Sequence, residues 1–438
     1  MKLKNLAVIG CAALMTFSLA SCGLGKSRSL GKPAKFTFAE YSEITDGNYV
    51  NFRGKVDGFA SKFAASAYES YDGAENFAVS PVSVYMAMSL AAECAYGDTR
   101  TEILNALGVS YEQLQEHVST LYRSLNVEYK QGNKITSTLK LGNSIWVNEG
   151  TPVNTSCIDA LSNKYFAYSY SADFANDNEN ANLAIRHFVK EQTKGLIDRD
   201  FELSDDTLFA LINTLYLKTI WNDHGDDLPF SDDEYIFKGV DGEKQTKLLQ
   251  GYYKSGRVYE EESFSTFFTS AMGGYKIKFI VPKDGYGLAD VFTAENISKA
   301  NGITDYGGFD EGNNTQYFTR CFFPEFDAAY DGNVKSIMQD DFGVDLLFKS
   351  SEEYLEHCDF SSMTDVPSHC ENIYHVTKLT VDKTGIEGAA VTVLEGAADG
   401  APAPVEEVFA DYIVDRAFGF VICDSQNVAL FSGVVKNI

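Results

Sequence analysis

The chain is poor in basic residues. Against 62 Asp and Glu it has only 36 Lys and Arg, a formal charge of −26 over 438 residues. Nucleic-acid binding needs a basic face, so that class is excluded. Histidine is also scarce, with six residues. There is no GxSxG elbow, no HExxH and no GxGxxG after a strand, which removes the common hydrolase, zinc-peptidase and dinucleotide signatures. His187 falls on a helix face, while His117 and His224 sit in polar surroundings. No nucleophile with its base emerges, so catalysis, cofactor and metal ion are not expected. No Pro/Gly/Ser linker, charge block or internal repeat divides the body, which reads as one large domain with ample apolar content for a core.

The N-terminus has targeting character. Lys2 and Lys4 precede the apolar run Leu6 to Ala20, too short and wrongly flanked for a spanning helix. It ends Leu19-Ala20-Ser21-Cys22-Gly23, the small-small-Cys pattern of bacterial lipoprotein processing. The expected layout is a signal peptide over 1–21, lipidated Cys22 with a polar tether over 22–40, and a body over 41–438. This places the protein in a bacterial cell envelope, anchored to the membrane at the periplasmic face or cell surface. The tether lacks an acidic export cluster, which favours the periplasmic side. GLGKS within it is not a P-loop, since the flanking strand and the first glycine spacing are missing.

Six cysteines follow Cys22. Cys94, Cys321 and Cys423 lie in apolar runs and are expected as buried thiols. Cys157 stands apart. The doublets His357-Cys358 and His369-Cys370 leave three readings open: structural thiols, a disulfide, or a metal site whose spacing matches no zinc ribbon.

The most informative segment is Leu379 to Val405, LTVDKTGIEGAAVTVLEGAADGAPAPV. From Ile386 to Gly400 it has no Pro, Lys or Arg. Alternate positions Ile386, Gly388, Ala390, Thr392, Leu394, Gly396 and Ala398 are small or apolar, so one face could be buried in a sheet. Yet Gly and Ala are poor strand formers, and Pro402 and Pro404 cannot donate to a ladder. The segment reads as a loop able to become a strand. Downstream, Phe418 to Cys423 and Val428 to Val435 flank the turn Asp424 to Asn427, a buried hairpin.

Six motifs in order carry a family resemblance. NFAVSPVSVYMAMSLAAECAYGDTRTEILNALGV (Asn76 to Val109), AIRHFVKEQTKGLI (Ala184 to Ile197), NTLYLKTIW (Asn213 to Trp221), FPEF (Phe323 to Phe326), CDFSSM (Cys358 to Met363) and the closing Ala410 to Ile438 together resemble the serpin family. The resemblance implies a mixed α/β (α+β) fold with three β-sheets, some nine helices and an exposed reactive-centre loop, here about 384–410. It implies a monomeric, non-enzymatic protease inhibitor whose partner is a serine or cysteine protease. The protease is trapped as an acyl-enzyme when the cut loop inserts into the central sheet. The alternative is a non-inhibitory serpin-fold binding or structural lipoprotein.

By the same resemblance the hinge comprises Lys383, Thr384, Gly385, Ile386, Glu387, Gly388, Ala389, Ala390, Val391 and Thr392. The scissile bond falls at Asp399-Gly400, with Ala398, Ala401 and Val405 as alternatives. Ile386 is bulkier than the family's usual residue, which implies slower insertion, and Ala417 stands where the family has Pro. Ser80, Ser83, Asn213 and His375 are expected to satisfy one another in a buried cluster under the sheet. Trp221 marks the sheet top. There Lys383 and Glu325 reverse the family's Glu and Lys, so an ion pair between them is expected.

Overall fold

The computed structural model describes residues 27–221, 227–303, 307–352, 354–387 and 406–438. The signal segment, Cys22, His224, Gly388 to Thr392 and all the candidate scissile residues lie outside them.

The principal strands are β1 (Arg28–Gly31), β2 (Phe77–Val79), β3 (Lys134–Asn148), β4 (Ala167–Ala172), β5 (Phe209–Ile220), β6 (Lys276–Pro282), β7 (Thr315–Phe323), β8 (Phe326–Asn333), β9 (Tyr374–Asp382), β10 (Gly385–Ile386), β11 (Glu406–Ile413), β12 (Phe418–Cys423) and β13 (Ala429–Val435). Among the helices are α1 (Gly47–Glu69), α2 (Pro81–Cys94), α3 (Tyr111–Ser124), α4 (Thr155–Lys164) and α5 (Asn178–Gln192). Among the described residues there are ten α-helices and three sheets, of fourteen, five and two strands. The mixed α+β expectation holds.

The large sheet runs β1-β4-β3-β5-β10-β9-β8-β2-β13-β12-β6, then two further strands. Its C-terminal hairpin falls where the apolar runs placed it, and every residue of β12 and β13 is buried. α2 begins with Pro81 at its first turn, where the missing N–H costs nothing. It is apolar on nearly all sides and is buried along almost its whole length, as a core helix must be. It packs against β5 and β13. α5 lies on the outer face, where Ile185 and Phe188 pack with Trp146 and Tyr170.

Two expectations need correction. Part of the polar tether is folded: Arg28–Gly31 pairs antiparallel with Ser169 to Ser171 on the edge of β4. An edge strand is held through its backbone, so polar side chains are no obstacle. His117 is not in polar surroundings. It is buried on α3 against the rings of Tyr49 and Phe52. His187 does lie on a helix, α5.

Candidate functional site

β5 and β9 run parallel, but no ladder joins them. Among the described residues, the two residues of β10 are the strand that bridges them. Gly385 pairs with Ile220 and Asp382, and Ile386 with Thr219 and Val381. Below this bridge the strands part around a cavity of about 390 Å³, lined by Ile212 and Asn213 of β5, Tyr374 and His375 of β9, Ser83 of α2 and Val189 of α5. Phe209 to Asn213 are apolar or uncharged yet only half-buried along this edge. For a strand inside a large sheet that exposure marks a missing neighbour.

The hinge is therefore less exposed than the sequence implies. Gly385 and Ile386, placed in the loop, are buried in the sheet. Ile386 has no exposed surface, and its bulk is already housed. Glycine is required at 385 by close approach. A Cβ there would lie 2.2 Å from the Thr219 carbonyl oxygen. At the other end, Glu406 to Ala410 belong to β11, paired in parallel with β7. The loop expected over 384–410 thus loses its ends to two different sheets.

The turn before β10 is closely tied. Asp382 Oδ1 accepts from the backbone N–H of Thr384 at 2.7 Å and of Gly385 at 3.2 Å. Trp221 donates its indole N–H to the Asp382 carbonyl oxygen at 2.8 Å. Lys383 and Glu325 do meet, but not as an ion pair between side chains. Glu325 Oε1 accepts the Lys383 backbone N–H at 2.9 Å. The Lys383 ammonium instead pairs with Asp227 at 3.1 Å, and this carboxylate, ahead of the charge of Glu325, raises its pKa. Opposite charges imply only that the two residues lie close. The tight turn decides which atoms meet.

Glu387, at the foot of β10, has a positive φ of 41°, uncommon outside glycine. Burial raises its carboxyl pKa, and Tyr216 donates to Oε1 at 3.2 Å.

The buried polar cluster also differs from expectation. It forms two separate pairs. The Ser80 backbone N–H donates to His375 Nε2 at 3.0 Å, while the Ser83 hydroxyl bonds to Asn213 Oδ1. The Ser80 hydroxyl has no partner among the described residues. Asn213 continues instead to Asn143 at 2.6 Å, which donates to the Tyr165 carbonyl at 2.7 Å. Asn143 was missed because β3 carries it far from the recognised motifs. His375 lies deep in an apolar setting beside Phe63 and Tyr330. Burial depresses its pKa to about 3, so it is neutral and accepts.

All six described cysteines are free thiols. Burial raises Cys358 above its usual range, and raises Cys370 to about 12.

The family model described as Serpin (serine protease inhibitor) matches residues 55–438. The chain is 25% identical to rat (Rattus norvegicus) alpha-1-antiproteinase over 396 residues, covering 87% of this chain and 89% of that one. It is 28% identical over 347 residues to mouse (Mus musculus) alpha-1-antitrypsin 1-1, covering 76% and 78%. Among solved structures, the native state of the thermophilic serpin tengpin superposes with a TM-score of 0.70 at 21% identity, covering 94% of this chain and 100% of that one. Thyroxine-binding globulin in complex with thyroxine gives 0.68 at 20% identity, covering 88% and 99%.

Proposed function

The chain belongs to the serpin family, described as serine protease inhibitors, and on that premise we propose that it inhibits a serine or cysteine protease as a suicide substrate. One observation carries the reading. Gly385 and Ile386 already occupy the top of a slot between β5 and β9, and the slot below them is unfilled by any described strand. Continuing that register, residues 388, 390, 392 and 394 would face inward, and Thr392 would settle between Asn213 and His375. Every inward residue is small or apolar, so insertion buries no charge. Extended, Ile386 to Gly400 spans roughly 50 Å at about 3.3 Å per residue.

The protease attacks the loop at Asp399-Gly400, or at Ala398, Ala401 or Val405, and forms its acyl-enzyme. The freed loop adds a strand to β5 and β9, and the attached protease is carried along before water can release it. New ladder hydrogen bonds and buried side chains drive the step. The reading includes a lipid anchor on Cys22 holding a monomeric inhibitor at the cell envelope, supported by the Leu19-Ala20-Ser21-Cys22 ending.

Mixing the protein with elastase-like and subtilisin-like proteases tests this. An SDS-stable adduct is expected, and the N-terminus of the released fragment identifies the bond. Cleavage without any adduct would leave the non-inhibitory binding reading, and a new N-terminus beyond Glu407 would exclude all the assigned bonds.

A further inference from the structure

Cys94 and Cys157 are 63 residues apart, and nothing in their sequence contexts joins them. In the fold their sulfur atoms lie 4.0 Å apart, both buried. Cys94 closes α2, and Cys157 sits in the first turn of α4. A disulfide needs its sulfurs about 2 Å apart, so a shift of about 1 Å by each sulfur would suffice.

The place of this pair matters more than its proximity. α2 passes beneath the slot. At its N-terminal end the Ser80 backbone bonds His375 of β9, on one side of the gap. Its C-terminal end meets α4, which leads directly into β4. β4 pairs with β3, and β3 with β5, on the other side. Glu93 reinforces that end, accepting the hydroxyls of Tyr111 and Tyr165, each at 3.1 Å. α2 is thus the strut between the two halves that must part.

We propose that Cys94 and Cys157 form a disulfide that clasps the two sides of the slot together. The oxidant is a small-molecule disulfide such as oxidised glutathione. The Cys94 thiolate attacks it, releasing one glutathione thiolate and leaving a mixed disulfide. The Cys157 thiolate then attacks the Cys94 sulfur and expels the second glutathione. The protein gives up two protons and two electrons, and one glutathione disulfide becomes two thiols. Burial holds both sulfurs away from solvent in the closed fold, so the bond is set while the chain folds.

The test is to refold the reduced full-length protein with and without a glutathione redox buffer. After alkylation in denaturant, a non-reducing peptide map is expected to show a Cys94–Cys157 linked peptide in the oxidised sample, absent from Cys157→Ala. Two alkylated thiols, or Cys94 bonded elsewhere, would overturn the proposal. Amide hydrogen exchange of β5 and β9 is then compared between the two forms. Exchange is expected to be roughly tenfold slower in the oxidised wild type, with no effect of oxidation in Cys157→Ala. A formed disulfide with unchanged exchange would overturn the clasp. Neither readout needs a protease, so failure of the adduct assay leaves this proposal standing.

Discussion

The Trp221 indole N–H reaches across the head of the slot to the Asp382 carbonyl oxygen, 2.8 Å away. Trp221 follows β5 and Asp382 ends β9, so this hydrogen bond, beside the β10 bridge, ties the two strands that insertion must separate. Trp221→Phe keeps most of the ring packing against Phe323 but loses the donor. It is expected to lower unfolding stability by about 1 kcal/mol in urea melts, and to speed loop insertion. The chain has only two tryptophans, so a Trp146→Phe background makes Trp221 fluorescence a direct reporter of the slot.

The charges beside the hinge are expected to couple selectively. Lys383 pairs with Asp227 through its side chain, while Glu325 takes its backbone N–H. In double-mutant cycles Lys383→Ala should couple with Asp227→Ala. It should couple weakly or not at all with Glu325→Ala, because alanine at 383 keeps the N–H. Glu325→Gln should change the hinge regardless of what stands at 383. Equal coupling of Lys383 to both carboxylates would show that the Glu325 contact is made through the side chain.

The hinge positions are separable. Gly385→Ala forces a Cβ against the Thr219 carbonyl, so β10 should leave the sheet. Ile386→Arg would bury an unpaired charge. Both variants should still be cut in the loop yet form less adduct, seen as a rising cleaved fraction on SDS gels. Unchanged adduct yield in both would show that β10 is not the start of insertion.

Acid should weaken the fold through His375. Its folded pKa, about 3, lies below the ordinary value near 6.5. The unfolded chain therefore binds the extra proton, so the neutral ring's contribution is complete above pH 6.5 and is lost as pH falls towards 3. Asp424 acts oppositely. Burial lifts its carboxyl to about 6, so its cost eases as pH falls from 6 to 4. Replacing His375 with Gln should flatten the fall in stability below pH 6.5 by up to about 1.4 kcal/mol per pH unit. An unaltered slope in denaturant titrations across that range would mean that His375 is not buried neutral.

Much of this frame is legible in the sequence because it rests on local periodicity. The apolar run that opens at Val428 lies within one residue of the strand it predicts, which starts at Ala429. The alternating run Asn372 to Val381, NIYHVTKLTV, reads as a strand, and His375 lies within β9. What escaped depends on partners that patterns do not encode. Arg28–Gly31 reads as tether because an edge strand is chosen by its neighbour's free backbone. Opposite charges at Lys383 and Glu325 give proximity but not the choice between side chain and backbone. Cys94 reads as a lone thiol until the fold brings Cys157 to it.

Loop insertion is tested most directly by cleaving the protein once within residues 388–405 and comparing its thermal unfolding with that of the intact chain. A strand added between β5 and β9 should raise the melting temperature markedly, with new slow-exchanging amides on both strands. An unchanged melting temperature after complete cleavage would contradict insertion and the inhibitory mechanism built on it.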